Sequence, residues 1–194
     1  MKDFSNEEDR RRAIAWAIAV TQGTPLAPQA YEANLLERYA RGELTLDQAI
    51  AGLDGRVHHV LYRSRAVRPF SDGQLTDLLE QSRAWNEPRD LTGLLVYSRD
   101  GHFVQIIEGD ALEVHALFAR ILRDPRHEQV TLLSEAAGPA RRFPDWRMAF
   151  AVAEPAEFHW LVGYLAARQQ HLVQPHVPVT DAHLNTLLHA FGNV

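Results

Sequence analysis

The most informative polar residue of the sequence stands inside an apolar strand pattern. In GHFVQIIEG (101–109), the alternation of strand side chains places Gln105 in one row with Phe103 and Ile107. A buried amide left without hydrogen-bond partners costs about 1–3 kcal/mol. Glutamine at this position therefore requires either a partly hydrated strand face or a polar partner above it.

Two further polar side chains are predicted to point toward the same place. Tyr62 lies in VHHVLYRS (57–64), a strand pattern, and Asn86 ends the helix pattern SDGQLTDLLEQSRAWN (71–86). A tyrosine hydroxyl and a glutamine amide on neighbouring strands can hydrogen-bond and still leave amide capacity unused. That surplus suits a planar heteroaromatic ligand with carbonyls and ring nitrogens. Taken singly, each residue also fits a structural role, as core tyrosine, edge glutamine or helix-ending asparagine.

The elements that would position these side chains follow a recognisable order. Strand patterns cover 57–64, 91–98, 102–109, 130–136 and 146–153, and helix patterns cover 71–86 and 110–124, the second ended by Pro125. The order β-α-β-β-α-β-β predicts an α+β, ferredoxin-like sheet with two helices on one face. Its first and third strands, which carry Tyr62 and Gln105, are expected to be central neighbours.

Helical patterns precede and follow this sheet. Three helices are predicted before residue 55, the first from a Ser5 cap to Gly23 and the third capped by Thr45. Two more are predicted over 154–170 and 180–191. We therefore expect three domains: a helical module at 1–55, an α+β domain at 56–152 and a C-terminal helical cap at 153–194.

Composition excludes several classes of function. The net charge is −5, and the chain has no cysteine, so no general attraction to nucleic acid, disulfide or thiolate site is expected. Ten histidines show no HxxxH or HExxH spacing, and no nucleotide-phosphate loop motif or catalytic triad is present. We therefore expect no catalytic residues and no metal site. The apolar run at 13–20 is short and preceded by acidic residues, which predicts a cytoplasmic protein without membrane contact.

Five stretches in chain order resemble the BLUF domain, a flavin-binding blue-light sensor. They are LYRSRA (61–66), LTDLLEQSRAWN (75–86), LTGLLVYSRDGHFVQIIEG (91–109), ILRDPRHEQV (121–130) and RRFPDWRMAF (141–150). The resemblance implies FAD, with FMN as the alternative, held noncovalently between the two helices.

The resemblance also implies roles for individual residues. Tyr62 falls at the photoactive tyrosine, Gln105 at the switching glutamine, and Asn86 at the asparagine that hydrogen-bonds the flavin ring. A segment that flanks the flavin and its ribityl–phosphate tail contains Asp124, Arg126 and His127. Two small polar residues around the pocket are Ser64 and Ser82, and the fifth-strand pair linked to signal output is Trp146 and Met148.

The implied photocycle explains the amide in the apolar strand. Light makes the flavin a strong oxidant, a nearby phenol gives an electron and a proton, and the glutamine relays the proton and rearranges by rotation or tautomerisation. The lasting product is a changed hydrogen-bond network rather than a new compound. Gln105 would be buried because its two hydrogen-bonding states form the switch.

One residue departs from the family pattern. Trp85 stands before Asn86, where histidine or asparagine is common. Trp85 is interpreted as an aromatic side chain packing beside the ring. The competing hypothesis makes it a second electron donor that competes with Tyr62.

The N-terminal helices raise a separate question of partners. ANLLERYARGELTLDQAIAGL (33–53) resembles the helical antitoxin domain found with Fic-type toxins, which inhibits through a Ser/Thr-x-x-x-Glu-Gly motif. Ile18 and Gln22 replace the Ser/Thr and the Glu before Gly23, so a docking or dimerisation module is preferred.

The resulting prediction is a noncatalytic photoreceptor that changes its protein contacts in light, as a homo-oligomer with an unknown protein partner. A light-regulated antitoxin or adaptor acting on a Fic-type toxin, and a flavin enzyme, are the alternatives.

Overall fold

The computed structural model describes residues 4, 6–24, 27–169 and 179–192. Two compact units are present, one comprising Met1–Val57 with Ala136–Ala140 and the other His58–Glu135 with Arg141–Val194. Among the described residues, no helix is long and apolar enough to cross a membrane.

The first unit contains three helices, as predicted. They are α1 (Glu7–Thr21), α2 (Ala30–Ala40) and α3 (Leu46–Asp54). Ser5, the predicted first cap, lies outside the described residues, and the side chain of Asn6 caps α1 by accepting from the Asp9 amide. Thr45 caps α3 with a reciprocal Gln48 contact, as its sequence spacing indicates.

A five-stranded sheet organises the second unit. Its strands are β1 (Val57–Ala66), β2 (Thr92–Ser98), β3 (His102–Gly109), β4 (His127–Gly138) and β5 (Ala149–Ala153), in the spatial order β4-β1-β3-β2-β5. β3 pairs antiparallel with both β1 and β2, while β2 pairs parallel with β5. The predicted α+β class and the central position of the first and third strands are confirmed.

Helices cover both faces of the sheet. The remaining helices are α4 (Asp72–Asn86), α5 (Ala111–Ile121), α6 (Pro155–Gln169) and α7 (Ala182–Gly192). On one face, Leu75 and Leu79 of α4 pack near Phe103 of β3. On the other face, Leu161 of α6 and Leu187 of α7 join a core that includes alternate residues of the same strands. Since strand side chains alternate, the two faces of the sheet pack into separate apolar clusters.

One glycine permits the close approach of β2 to β3. A Cβ on Gly93 would lie 2.0 Å from the carbonyl oxygen of Ile106. That separation is far inside van der Waals contact, so the pairing of these strands requires glycine here.

Several strand boundaries differ from those predicted, and two strands differ by three residues at their start. β4 begins at His127 rather than 130, and β5 begins at Ala149 rather than 146. Trp146 and Met148 therefore lie in the segment that enters β5 and not within the strand, which corrects the predicted fifth-strand pair. The segment carries strand-forming residues, but its polar groups are bound by α4 and β2 instead of by a strand ladder.

Candidate functional site

The central strands place Tyr62 and Gln105 directly opposite each other. They are register partners in the antiparallel β1–β3 pair, so their side chains share one face. The Tyr62 hydroxyl donates a hydrogen bond to Gln105 Oε1, and both residues are buried. Burial, together with the negative charge of Asp124, raises the pKa of Tyr62, so the phenol stays protonated.

The second half of the Gln105 amide reaches the segment before β5. Its Nε2 donates to Met148 Sδ at 3.4 Å. A thioether sulfur is a weak acceptor, so this contact is the weaker of the two. Gln105 thus connects a phenol on β1 with a side chain outside the strand pair, and either connection changes if the amide rearranges.

Asn86 is held at the end of α4 with part of its capacity unused. The residue is fully buried, and its Nδ2 donates to the Arg147 carbonyl at 2.8 Å. Among the described residues, its Oδ1 has no hydrogen-bond partner. An unsatisfied buried acceptor costs about 1–3 kcal/mol, so this oxygen requires a donor from a ligand or from water.

A narrow cleft brings these groups together. Eight of the ten residues predicted from the sequence line it: Tyr62, Ser82, Asn86, Gln105, Asp124, Arg126, His127 and Met148. Gln81 and Arg120 also line it and were missed, because neither interrupts an apolar row in the way that Gln105 does.

Charged and titratable side chains also line the cleft. Asp124 and Arg126 form an ion pair at 2.6 Å, and this hydrogen bond lowers the pKa of Asp124. Burial lowers the pKa of His127, whose Nδ1 contacts Ser64 Oγ at 3.0 Å. Ser64 does not line the cleft, so its placement around the pocket is indirect, through His127.

Trp85 closes the cleft beside Asn86. Two guanidinium groups lie over its ring, Arg89 at 3.7 Å and Arg120 at 4.3 Å from the ring centroid. Its Nε1 is buried and has no hydrogen-bond partner among the described residues. Trp85 therefore makes cation–π contacts with two arginines, and its indole N–H is, after Asn86 Oδ1, a second buried polar atom at the cleft without a partner among the described residues.

Trp146 lies apart from the cleft. Its ring packs against the core shared with α6 and α7, with Phe143 at 5.3 Å and His183 of α7 at 6.1 Å. Met148 instead belongs to the core under α4. Within three residues, the chain therefore contacts both faces of the sheet.

The segment 146–148 is fixed by polar contacts from two elements. The Gly93 amide of β2 donates to the Trp146 carbonyl at 2.7 Å. From α4, Asn86 donates to the Arg147 carbonyl and Arg83 Nε donates to the Met148 carbonyl at 3.3 Å. A change at Gln105 or Asn86 would act directly on this segment.

Comparisons with known proteins identify the domain. The family described as "BLUF: Sensors of blue-light using FAD" matches residues 57–149. A BLUF protein, BlrB, in its dark state is 32% identical, and the alignment covers 59% of this chain and 84% of that one, with a TM-score of 0.48. The chain belongs to the BLUF family. Its predicted identity as a flavin-binding blue-light sensor domain is thereby confirmed, while the antitoxin-like N-terminal extension is not.

Two other relatives show the BLUF fold and the small share of a longer protein that this chain matches. The photo-activated state of BlsA has a TM-score of 0.51 at 21% identity over 71% of this chain and 93% of that one, and shows the fold alone. The beta subunit of a photoactivated adenylate cyclase from Euglena gracilis is 35% identical over 48% of this chain. The match spans 11% of that relative's length.

The cleft residues fit a flavin ring. Asn86 Oδ1 offers a buried acceptor to an N–H donor, and Gln105 keeps spare donor and acceptor capacity for a carbonyl or a ring nitrogen. Apolar side chains from both helices, including Leu78 and Leu117, supply walls for an aromatic system. The donor set therefore matches the family's cofactor class.

The residues that replace the antitoxin motif lie on α1. Ile18 lies within the helix, and Gln22 follows as its C-cap. Neither supplies a carboxylate at the predicted inhibitory position.

Proposed function

We propose that this chain is a blue-light photoreceptor in which Tyr62 and Gln105 are the photoactive pair and Asn86 anchors the ring. The observation that carries the proposal is the buried Tyr62–Gln105 hydrogen bond in one cleft with the unpaired Asn86 Oδ1. When bound, a flavin supplies blue-light absorption and, in its excited state, a strong electron acceptor.

The protein's part in the cycle follows from the hydrogen bonds. Tyr62 holds its proton on the hydroxyl and directs it at Gln105 Oε1, which is the path for a proton that leaves with an electron. Rotation or tautomerisation of the amide would change which atom faces Tyr62 and which faces Met148. Return of the electron and a proton to Tyr62 leaves no net oxidation or reduction, and only the hydrogen-bond arrangement around Gln105 is altered.

The direct test is an absorption spectrum of the purified protein before and after blue light. A flavin band that shifts to the red and recovers in darkness supports the proposal, and Tyr62→Phe should abolish the shift. The matched control is Tyr97→Phe, a buried tyrosine of β2 whose hydroxyl accepts from the Phe70 amide and which does not line the cleft. A shift that persists in Tyr62→Phe would contradict the assignment.

We propose FAD as the cofactor rather than FMN. A second cleft of about 370 Å³ adjoins the first and shares Gln81 and Arg126 with it. It offers room and a guanidinium for a nucleotide beyond the ring and ribityl chain. Mass spectrometry of the flavin released by denaturation decides between the two, and release of FMN alone would contradict this choice.

We propose that signal output runs through the segment 146–148 to α6 and α7, without enzymatic turnover. Asp124, the carboxylate that lines the cleft, is already paired with Arg126.

The proposed domain limits stay at 1–55, 56–152 and 153–194, with the first as a docking module for another copy or a protein partner. Pull-down in darkness and in light tests that partner, and oxidation of NAD(P)H by the protein would contradict the noncatalytic assignment.

A further inference from the structure

Three side chains that can bind metal converge on the sheet face opposite the flavin cleft. Asp100 lies in the turn between β2 and β3, His102 begins β3, and His159 lies near the start of α6. One ligand atom from each lies within 4.8 Å of the others. Two segments distant in sequence thus present two imidazoles and a carboxylate to one point.

The separations are close to those of a coordinated ion. Tetrahedral ligands about 2.0–2.2 Å from Zn²⁺ lie roughly 3.4 Å apart. His102 Nδ1 is 3.3 Å from Asp100 Oδ1, and His159 Nε2 is 2.5 Å from Asp100 Oδ2. An ion would replace the His159–Asp100 hydrogen bond and draw the most distant pair, which lies within 4.8 Å, together by up to about 1.4 Å. The exposed side chain of His159 leaves room for that rotation.

One donor atom is held away from solvent beside the carboxylate. His102 Nδ1 is buried, and apart from its 3.3 Å contact with Asp100 Oδ1 it has no polar partner among the described residues. A cation between the imidazole and the carboxylate would give this nitrogen a strong partner.

Neighbouring cations are paired with carboxylates of their own. Arg65 lies opposite His102 in the β1–β3 register and is 3.9 Å from Glu128. Arg99, beside Asp100 in the turn, is 3.9 Å from Glu154. These carboxylates reduce the repulsion that the two guanidinium groups would exert on a bound cation.

We propose that Asp100, His102 and His159 form a binding site for a divalent transition metal ion, with Zn²⁺ as the best match. Two imidazoles and one carboxylate satisfy three tetrahedral positions and leave the fourth to water. The ion would tie the β2–β3 turn to α6, the first of the two helices proposed to carry the output. No local sequence pattern indicates this site, because its third ligand lies on a helix far along the chain. The proposal does not depend on the flavin.

Isothermal titration calorimetry of the 194-residue chain with Zn²⁺ tests the proposed metal site. One equivalent is expected to bind, and His159→Ala should weaken the affinity at least tenfold, since it removes one of three protein ligands. Zn²⁺ should raise the thermal midpoint of the wild-type protein and shift that of the variant much less. Mg²⁺ and Ca²⁺, which prefer oxygen ligands, should not substitute.

The matched control is His115→Ala. His115 is an exposed histidine paired with a carboxylate, Glu135, at 2.8 Å, but it has no place in the three-residue cluster. Equal affinity in the wild type and His159→Ala, an equal loss in His115→Ala, or no stoichiometric binding would each overturn the proposal. Because His159 is exposed on α6, its replacement should leave the fold intact, which circular dichroism verifies.

Discussion

At the scale of single residues, two neighbouring cations make Trp85 a poor electron donor. Two guanidinium groups lie over its ring, within 4.3 Å of the centroid. A unit charge about 4 Å from a like charge is destabilised by about 4 kcal/mol at an effective dielectric constant of about 20. Removing an electron from this indole would place positive charge close to two cations. Glu113, 3.4 Å from Arg89, offsets only part of that cost.

We therefore expect Trp85→Phe to leave the excited-state lifetime of the bound flavin nearly unchanged. Time-resolved fluorescence measures that lifetime, with Trp160→Phe on α6 as the control tryptophan. A marked lengthening in Trp85→Phe alone would restore the electron-donor hypothesis. Replacement should instead lower flavin affinity modestly, because an aromatic wall and its two cation–π contacts are weakened.

Residue-level prediction from the sequence succeeded where a polar side chain interrupted an apolar pattern. Gln105 and Tyr62 were placed together because strand periodicity fixes which side chains share a face, and the register confirms it. The unpaired Asn86 Oδ1, the Arg120 side chain over Trp85 and the Asp100–His159 contact depend on tertiary positions that periodicity does not encode.

At the scale of elements, the segment entering β5 joins the cleft to the opposite face. Met148 contacts the Gln105 amide, and Trp146 contacts α7. The sequence pattern WRMAFAVA predicted one continuous strand, because alternating apolar residues do not reveal which backbone groups are bound elsewhere. The contacts from Gly93, Asn86 and Arg83 hold this segment outside the strand.

Met148→Leu tests whether the sulfur contact couples the switch to the far face. Leucine keeps nearly the same volume but removes the acceptor for Gln105 Nε2, and such swaps usually cost under about 1.5 kcal/mol of stability. The red shift should still form, because Tyr62 and Gln105 remain. The light-induced change in hydrogen exchange of α7 should shrink.

The control is Leu79→Met, a swap in the same core under α4 that leaves Met148 and its contact with Gln105 unchanged. Undiminished light-induced exchange changes in Met148→Leu would show that output takes another route. Loss of the red shift itself would instead place Met148 in the photochemistry.

At the scale of the whole molecule, the two cores differ in how far the sequence predicts them. The family motifs determine the side of the sheet under α4 and α5. The side under α6 and α7 was predicted only as nearby helices, and its polar centre was not foreseen. There the buried Glu108 carboxylate accepts from the backbone amides of Arg142 and Phe143, and His59 contacts Ser134 and Arg142. These partners come from separate loops and strands, which no local pattern relates.

That polar centre makes stability depend on pH. Burial and the positive charge of Arg142 lower the pKa of His59 from 6.5 to about 4, since its Nδ1 accepts from Arg142 at 3.0 Å. In the unfolded chain the His59 imidazole is protonated below pH 6.5, whereas in the folded protein it is protonated only below about pH 4. The stabilisation is thus complete above pH 6.5 and falls by up to about 3 kcal/mol as the pH drops to 4.

Urea unfolding at pH 7.5, 6 and 5 measures this loss, and His59→Gln should flatten it. Glutamine can still accept from Arg142 but does not titrate. The raised pKa of Glu108, caused by burial, acts in the opposite direction and is common to both proteins, so their difference isolates His59. Equal slopes for the wild type and His59→Gln would mean that His59 gains no proton on unfolding, and that another group causes any acid sensitivity.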